Sequence, residues 1–260
     1  MQDSMYSAMF GALSQEHRMN SIANNLANVN TTGYKKDTLV FKDVFIRFAH
    51  DAIMEPIMNI RSKKLFPEPM HIAKPRLGLS QIDFTQGGMH YTGNPLDMAI
   101  AGDGFFKFNT GNGEYYSRNG NFHITNEGTL VTAQGYTVLG DGGDIVIPPG
   151  TKNVHIDSTG RIFADNEMIG RVLIVGVEDP TQLEKHAYNM FKGRPGIEPV
   201  EMELENPQLE QGYLETANVN VVEEMVNMIE TQRAFEAYQK VIQSTQESDQ
   251  RLMEKVAIFR

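Results

Sequence analysis

The sequence contains no cysteine, which excludes disulfides and thiolate chemistry and leaves cysteine usage silent on redox compartment. No stretch approaches the roughly 20 apolar residues that a membrane-spanning helix needs, so no direct membrane insertion is expected. The first residues, MQDSMYSAMFGALSQEHRM, have neither a basic n-region nor a clean apolar core before a cleavage site. No secretory signal peptide is expected there. Catalytic signatures are missing as well: there is no G-x-x-x-x-G-K-[ST] loop, no G-x-S-x-G elbow and no H-E-x-x-H. Seven His are scattered so that no two stand three or four apart, as a helical metal site would want. "GDGGD" at 140–144 lacks the residue order of a calcium loop. Asn30-Thr31-Thr32 matches a glycosylation sequon but sits at a helix end with no secretion signal. Carboxylates abound, yet no general acid/base pair can be nominated. The expectation is no catalytic, cofactor-binding or metal-ligating residue.

Charge is absent in one place where a surface helix should carry it. From Met19 to Tyr34 there is no charged side chain, and four Asn fall in the ten residues from Asn20 to Val29. Asn is a mediocre helix former because its amide competes for the nearby backbone. The apolar spacing is nevertheless helical, with Met5, Ala8, Ala12, Gln15, Met19, Ile22, Leu26 and Val29 in a heptad-like stripe. Gly33 suits a left-handed helix ending, and a Schellman motif with Val29 and Tyr34 as its hydrophobic pair is expected. An unpaired buried amide costs ~1–3 kcal/mol. The amide face of this helix is therefore expected to be covered by other copies of the chain.

What is present is a chain of 260 residues with net charge −10, which argues against nucleic acid as a general partner. Residues 34–76 hold nine Lys/Arg against five Asp/Glu, whereas residues 77–213 hold eight against eighteen. The plain reading is solvated surfaces; the sharper one is a basic stretch docking on the acidic body of a neighbouring copy.

Four segments follow from the texture. Residues 1–33 read as an N-terminal helix. Residues 34–84 read as an extended connector, with Pro at 56, 67, 69 and 75; within it "LVFKDVFIRF" fits a short helix or a strand equally. Residues 85–213 alternate short β-rich runs with Asn-Gly and Gly-Gly turns, the mark of an all-β domain of hairpins. Residues 214–260 return to helix, opened by a capping-box-like Asn220 and Glu223. Val221, Met225, Met228, Phe235, Ile242, Met253 and Val256 form its stripe, and Gln232, Gln239 and Gln246 are placed on the same seam. The fold class is α+β: two terminal helices paired as a coiled coil, with an all-β domain inserted between them.

Four stretches resemble one family. "NNLANVNTTGYK" (Asn24 to Lys35) is similar to the N-terminal signature of bacterial flagellar rod and hook proteins. "GYLETANVNVVEEMVNMIETQRAFEAYQKVI" (Gly212 to Ile242) is similar to their C-terminal signature. "TGNPLDMAIAGDGFF" (Thr92 to Phe106) and "YSRNGNF" (Tyr116 to Phe122) resemble the central motifs. The resemblance implies a non-enzymatic structural subunit of the basal-body rod, with a coiled-coil inner domain and a β outer domain. It implies partners too: other copies, other rod proteins and the flagellar type III export apparatus, with export needing no cleaved signal. The location implied is a rod spanning the periplasm, built as a helical tube that transmits torque. "EAYQKVI" points to a proximal position, with a distal one as the alternative; an enzyme with its site in the β domain is the rival of another class. The assembly interface would comprise Asn24, Asn25, Leu26, Asn28, Val29 and Gly33 at one end. At the other it would comprise Met225, Ile229, Gln232, Arg233, Phe235, Glu236 and Ile242. Ala217 stands where the family has Ser, leaving Asn218 or Asn220 to cap the last helix.

Overall fold

The computed structural model describes residues 2–47, 71–111, 113–165, 167–204 and 207–258. They form an α+β structure with a helix near each end and several antiparallel sheets between. Helix α1 spans Gln2–Ala27 and α2 spans Val221–Ile258.

The stripe expected on α1 is the covered one. Ala8, Ala12 and Ile22 are buried, while Met5, Gln15, Met19 and Leu26 are half-buried. Gly11 is flat for a reason: a Cβ there would lie 2.5 Å from Cε1 of Tyr238 on α2. On α2 the register differs from expectation. Gln232, Gln239 and Gln246 are exposed, and the covered positions are Thr231, Tyr238 and Thr245, one residue earlier, with Met228, Phe235 and Ile242 beside them. Both sets repeat every seven residues, so period alone cannot separate them; one residue is about 100° around the helix. The threonine hydroxyls satisfy themselves within the helix, Thr231 donating to the Asn227 carbonyl at 2.6 Å and Thr245 to that of Val241 at 2.8 Å.

The segment expected to be an extended connector contains two long strands. Strands β1 (Asp37–Arg47) and β2 (His71–Ile82) pair as a separate two-stranded sheet. That decides "LVFKDVFIRF" in favour of strand as far as Arg47. Pro75 lies within β2, which a strand with one unpaired edge tolerates. Pro56, Pro67 and Pro69 lie outside the described residues.

The chain divides into two compact units, one of residues 1–23, 38–81 and 225–260, the other of residues 24–37 and 82–224. The second unit holds the β-rich region together with the last turn of α1 and the first of α2. Its strands are β3 (Met89–Tyr91), β4 (Met98–Ala101), β5 (Phe105–Asn109), β6 (Glu114–Ser117), β7 (Phe122–Ile124), β8 (Leu130–Thr132) and β9 (Thr137–Gly140). There follow β10 (Gly143–Asp144), β11 (Val154–Ile156), β12 (Arg161–Ala164), β13 (Glu167–Arg171), β14 (Ile174–Val177) and β15 (Leu183–His186). The last are β16 (Met190–Gly193), β17 (Glu201–Glu203), β18 (Gln208–Gln211) and β19 (Tyr213–Glu215).

The main sheet runs β15-β16-β6-β5-β9-β8-β7, with β14 and β10 joined to β5 and β9, and β17 to β14. Strand β5 is central, and its alternation builds two cores at once. Phe106 and Phe108 enter a cluster with Met98, Ile100, Phe122, Val138 and Ile162, while Phe105 faces Tyr116, Val175, Leu183 and Phe191. Strands β11, β12 and β13 make a smaller sheet. The unit is closed by its outermost strands, because β3 pairs with β19 and β4 with β18.

Candidate assembly interface

The uncharged run that ends α1 leads into a junction inside the β-rich unit, and its amides are consumed there. Asn25 is 2 % exposed. Its Oδ1 accepts from the Tyr34 hydroxyl and from the Asp37 backbone N–H, each at 2.9 Å, and its Nδ2 donates to the Asp37 carbonyl at 3.0 Å. One side chain thus closes the turn that carries the chain from α1 into β1. The cover expected from other copies is supplied, for this amide, by the chain itself. Asn24 is exposed, and half-buried Asn28 donates to its Oδ1 at 3.0 Å.

Gly33 is left-handed as expected, with φ +67°, but the Schellman motif does not form. The helix stops at Ala27, the Tyr34 N–H donates to the Thr31 carbonyl, and the Gly33 N–H donates to the Glu215 carbonyl at 2.8 Å. A Cβ at Gly33 would lie 2.4 Å from the Asn119 nitrogen. Close approach of two backbones, as well as the turn, requires glycine here.

Beside it lies a charge cluster that sequence reasoning missed. The Lys35 and Glu215 side chains are both 0 % exposed and meet at 2.6 Å. Lys35 Nζ also donates to the Thr85 carbonyl at 2.8 Å, and Glu215 Oε1 accepts from the Gly87 N–H at 2.9 Å. Arg118 Nη1 stands 3.5 Å from Glu215 Oε2, donates to the Gly102 carbonyl at 2.8 Å, and its guanidinium lies 5.2 Å from the centre of the Phe105 ring. Burial pushes the Lys35 ammonium below its ordinary 10.5, against the opposing pull of Glu215. The signal was in view, since Lys35, Arg118 and Glu215 each lie inside a stretch that carries the family resemblance.

Further ties bind the same region. Asn218 Oδ1 accepts from the Lys36 N–H and its Nδ2 donates to the Asp83 carbonyl, both at 2.8 Å. Asn220 is the cap of α2, its Oδ1 accepting from the Val222 N–H at 3.1 Å. Lys185 pairs with Asp37 at 2.8 Å, and its ammonium lies 4.1 Å from the centre of the Tyr34 ring. Burial raises the Tyr34 hydroxyl above its ordinary 10.0, and Asp37 and Glu224 add to the effect.

The residues expected at the assembly interface therefore divide. Asn25 and Gly33 are buried within the chain, while Leu26, Asn28, Val29, Phe235 and Ile242 are half-buried. Asn24, Gln232, Arg233 and Glu236 are exposed, as are Met225 at 49 % and Ile229 at 52 %. Apolar residues that sequence reasoning passed over share this exposure: Tyr6, Met9 and Leu13 on α1, and Val222 and Val226 on α2. Their spacing is helical, one face away from the covered stripe, and that second apolar face was the available signal.

Among the described residues no three His, Asp or Glu gather as a metal cluster, and no helix is long and apolar enough to cross a membrane. The motif polar groups of the β-rich unit tie one part of that unit to another, and both helices carry exposed apolar side chains. Comparison with known proteins gives the family. Residues 5–35 match the model of flagella basal body rod proteins, and residues 99–164 that of the flagellar hook protein FlgE/F/G D1 domain. Residues 210–254 match the flagellar basal body rod FlgEFG protein C-terminal model. The chain is 33 % identical to the flagellar basal-body rod protein FlgG of Bacillus subtilis, across 96 % of this chain and 97 % of that one. It is 35 % identical to FlgG of Borreliella burgdorferi, covering 94 % and 95 %. It is 31 % identical to the flagellar basal-body rod protein FlgF of Caulobacter vibrioides, covering 98 % of both chains. This chain belongs to the flagellar basal-body rod protein family and is a structural subunit of the rod.

Proposed function

We propose that the chain assembles with further copies of itself and with other rod proteins into a helical tube that spans the periplasm and transmits torque. One observation carries the reading. From Met225 to Arg251, α2 has a single buried residue among those described, Thr231. Helical stability in proteins comes mainly from packing of an amphipathic face, so a helix this bare gains its packing from neighbours. The approach of Gly11 to Tyr238 supports a coiled-coil pairing of α1 with α2, leaving Tyr6, Met9, Leu13, Met225, Val226 and Ile229 for adjoining subunits.

The test is Ile229→Lys. In the isolated chain this exposed substitution should change stability by no more than ~0.5 kcal/mol. In the rod it would bury an unpaired ammonium, at a cost of several kcal/mol. The expected outcome is a folded, exported subunit, no rods and no swimming; normal rods built from the variant would overturn the reading. Export through the type III apparatus without a cleaved leader is part of the same proposal. A proximal position, as for FlgF, rests on the "EAYQKVI" run alone, since relatives named FlgG and FlgF match at comparable identity. Labelling the chain in imaged basal bodies decides the position.

A further inference from the structure

The smaller sheet of the β-rich unit has two unlike faces. Ile156, Ile162 and Ala164 point inward and are buried, with Ile156 and Ile162 in the main core. The other face is set by register, His155 opposite Phe163 and Val154 opposite Ala164, so that Asn153, His155, Phe163 and Asp165 stand together on it. These four line a cleft of about 510 Å³, within the range of roughly 300–1,000 Å³ usual for small-molecule sites.

Its chemistry is two near-parallel rings with polar groups beside them. The His155 and Phe163 rings are within 26° of parallel with centres 6.5 Å apart. At that separation they lie offset, as a stepped platform, rather than in full face contact. The His155 tautomer follows from its neighbours. Gln211 Nε2 donates to the Pro95 and Val154 carbonyls, so its Oε1 is the acceptor for the Ile156 N–H and for His155 Nδ1 at 3.1 Å. Nδ1 therefore carries the proton, and in the neutral ring Nε2 is an acceptor. Asp165 holds a left-handed φ of +47° and accepts the Asn153 N–H at 3.0 Å and the Lys152 N–H at 3.2 Å, one on each oxygen. Each oxygen keeps a second lone pair, and the strained turn is pinned by the carboxylate. The Arg161 guanidinium stands over the Phe163 ring, 6.0 Å from its centre, and is already paired with Asp157 at 2.6 Å.

We propose that this outward face of β11, β12 and β13 binds a neutral saccharide. A sugar ring presents one side of C–H bonds to an aromatic face and a rim of hydroxyls to planar hydrogen-bonding groups. Phe163 supplies the first, and Asn153, Asp165 and His155 Nε2 supply the second. An anion is disfavoured, because the cleft's carboxylate is negative and the nearby guanidinium is engaged.

The test uses the purified full chain with tetrasaccharides of N-acetylglucosamine, glucose and mannose, read by saturation-transfer NMR and by amide shifts of residues 153–165. At least one should bind with a dissociation constant on the order of 0.1–1 mM. Phe163→Leu, which keeps apolar bulk without a ring face, should weaken binding tenfold or more, and Asp165→Asn several-fold. Tyr91→Ala, removing an exposed ring elsewhere, should change nothing. Absence of binding by the whole panel overturns the proposal, as does binding indifferent to Phe163→Leu. Protection of these amides on rod assembly without sugar also overturns it, in favour of a contact with a neighbouring copy.

Discussion

Gly33 and Lys35 show how closely a motif residue can be tied to its own chain. Two glycines with similar backbone separate strain from collision. Gly111 has φ +75° and nothing within 4 Å of where a Cβ would stand, whereas Gly33 at +67° meets Asn119. Gly111→Ala should cost only the left-handed strain of ~1–2 kcal/mol. Gly33→Ala should cost clearly more, because a backbone nitrogen cannot rotate aside. Thermal unfolding of the two variants side by side checks this, and equal losses would remove the close approach from the account. Lys35→Met leaves Glu215 buried with Arg118 as its remaining cation at 3.5 Å. Breaking a buried pair from one side costs ~3–5 kcal/mol. A fall of that size in urea-unfolding stability is expected, with the shortfall measuring what Arg118 compensates.

Among the elements, the two helices were legible because their apolar period is long, and the β hairpins because Asn-Gly and Gly-Gly turns punctuate them. The α2 register was not legible: threonine buried with its hydroxyl bonded four residues back reads as polar, so the Gln repeat took its place. A direct check is to compare Thr231→Arg with Gln232→Arg. The first buries a charge and should reduce helix content in the isolated chain, while the second should leave the circular dichroism unchanged. The β1–β2 sheet was not legible because Pro breaks a central strand while an edge strand accepts it, as β2 accepts Pro75, and the sequence does not say which a strand will be. The junction was legible in its residues and not in its purpose. An uncharged, amide-rich run fits a surface for other subunits and a set of internal ties equally well, and only the placement of Asp37 against Asn25 separates them.

For the molecule as a whole, the buried hydroxyls give a pH dependence with a definite sign. Burial raises Tyr34, and burial with its hydrogen bond to Glu201 raises Tyr116, both above the ordinary 10.0. The unfolded chain releases these protons near pH 10, and the folded chain retains them. Above that pH the folded state binds more protons than the unfolded one, so stability falls as pH rises; below it the contribution is fully present. The decline is read from urea unfolding between pH 8 and pH 11, against the opposite slope that the lowered Lys35 and Lys185 add. Tyr116→Phe should make it shallower, and Lys35 and Lys185, lowered by burial in both proteins, cancel from the comparison.

The pairing of β3 with β19 and of β4 with β18, sealed by an ion pair between residues 180 positions apart, also bears on timing. A chain made from its N-terminus exposes Lys35 early and Glu215 only near the end. Until then strands β3 and β4 have no partners, and the ammonium has no carboxylate. Contacts of such long sequence separation pay their loop-closure entropy before any reward, which makes folding slow. Strands β3 and β4 and the Lys35 ammonium are thus the parts of this unit left open until its last strands are made, while the hairpins between them have their partners earlier.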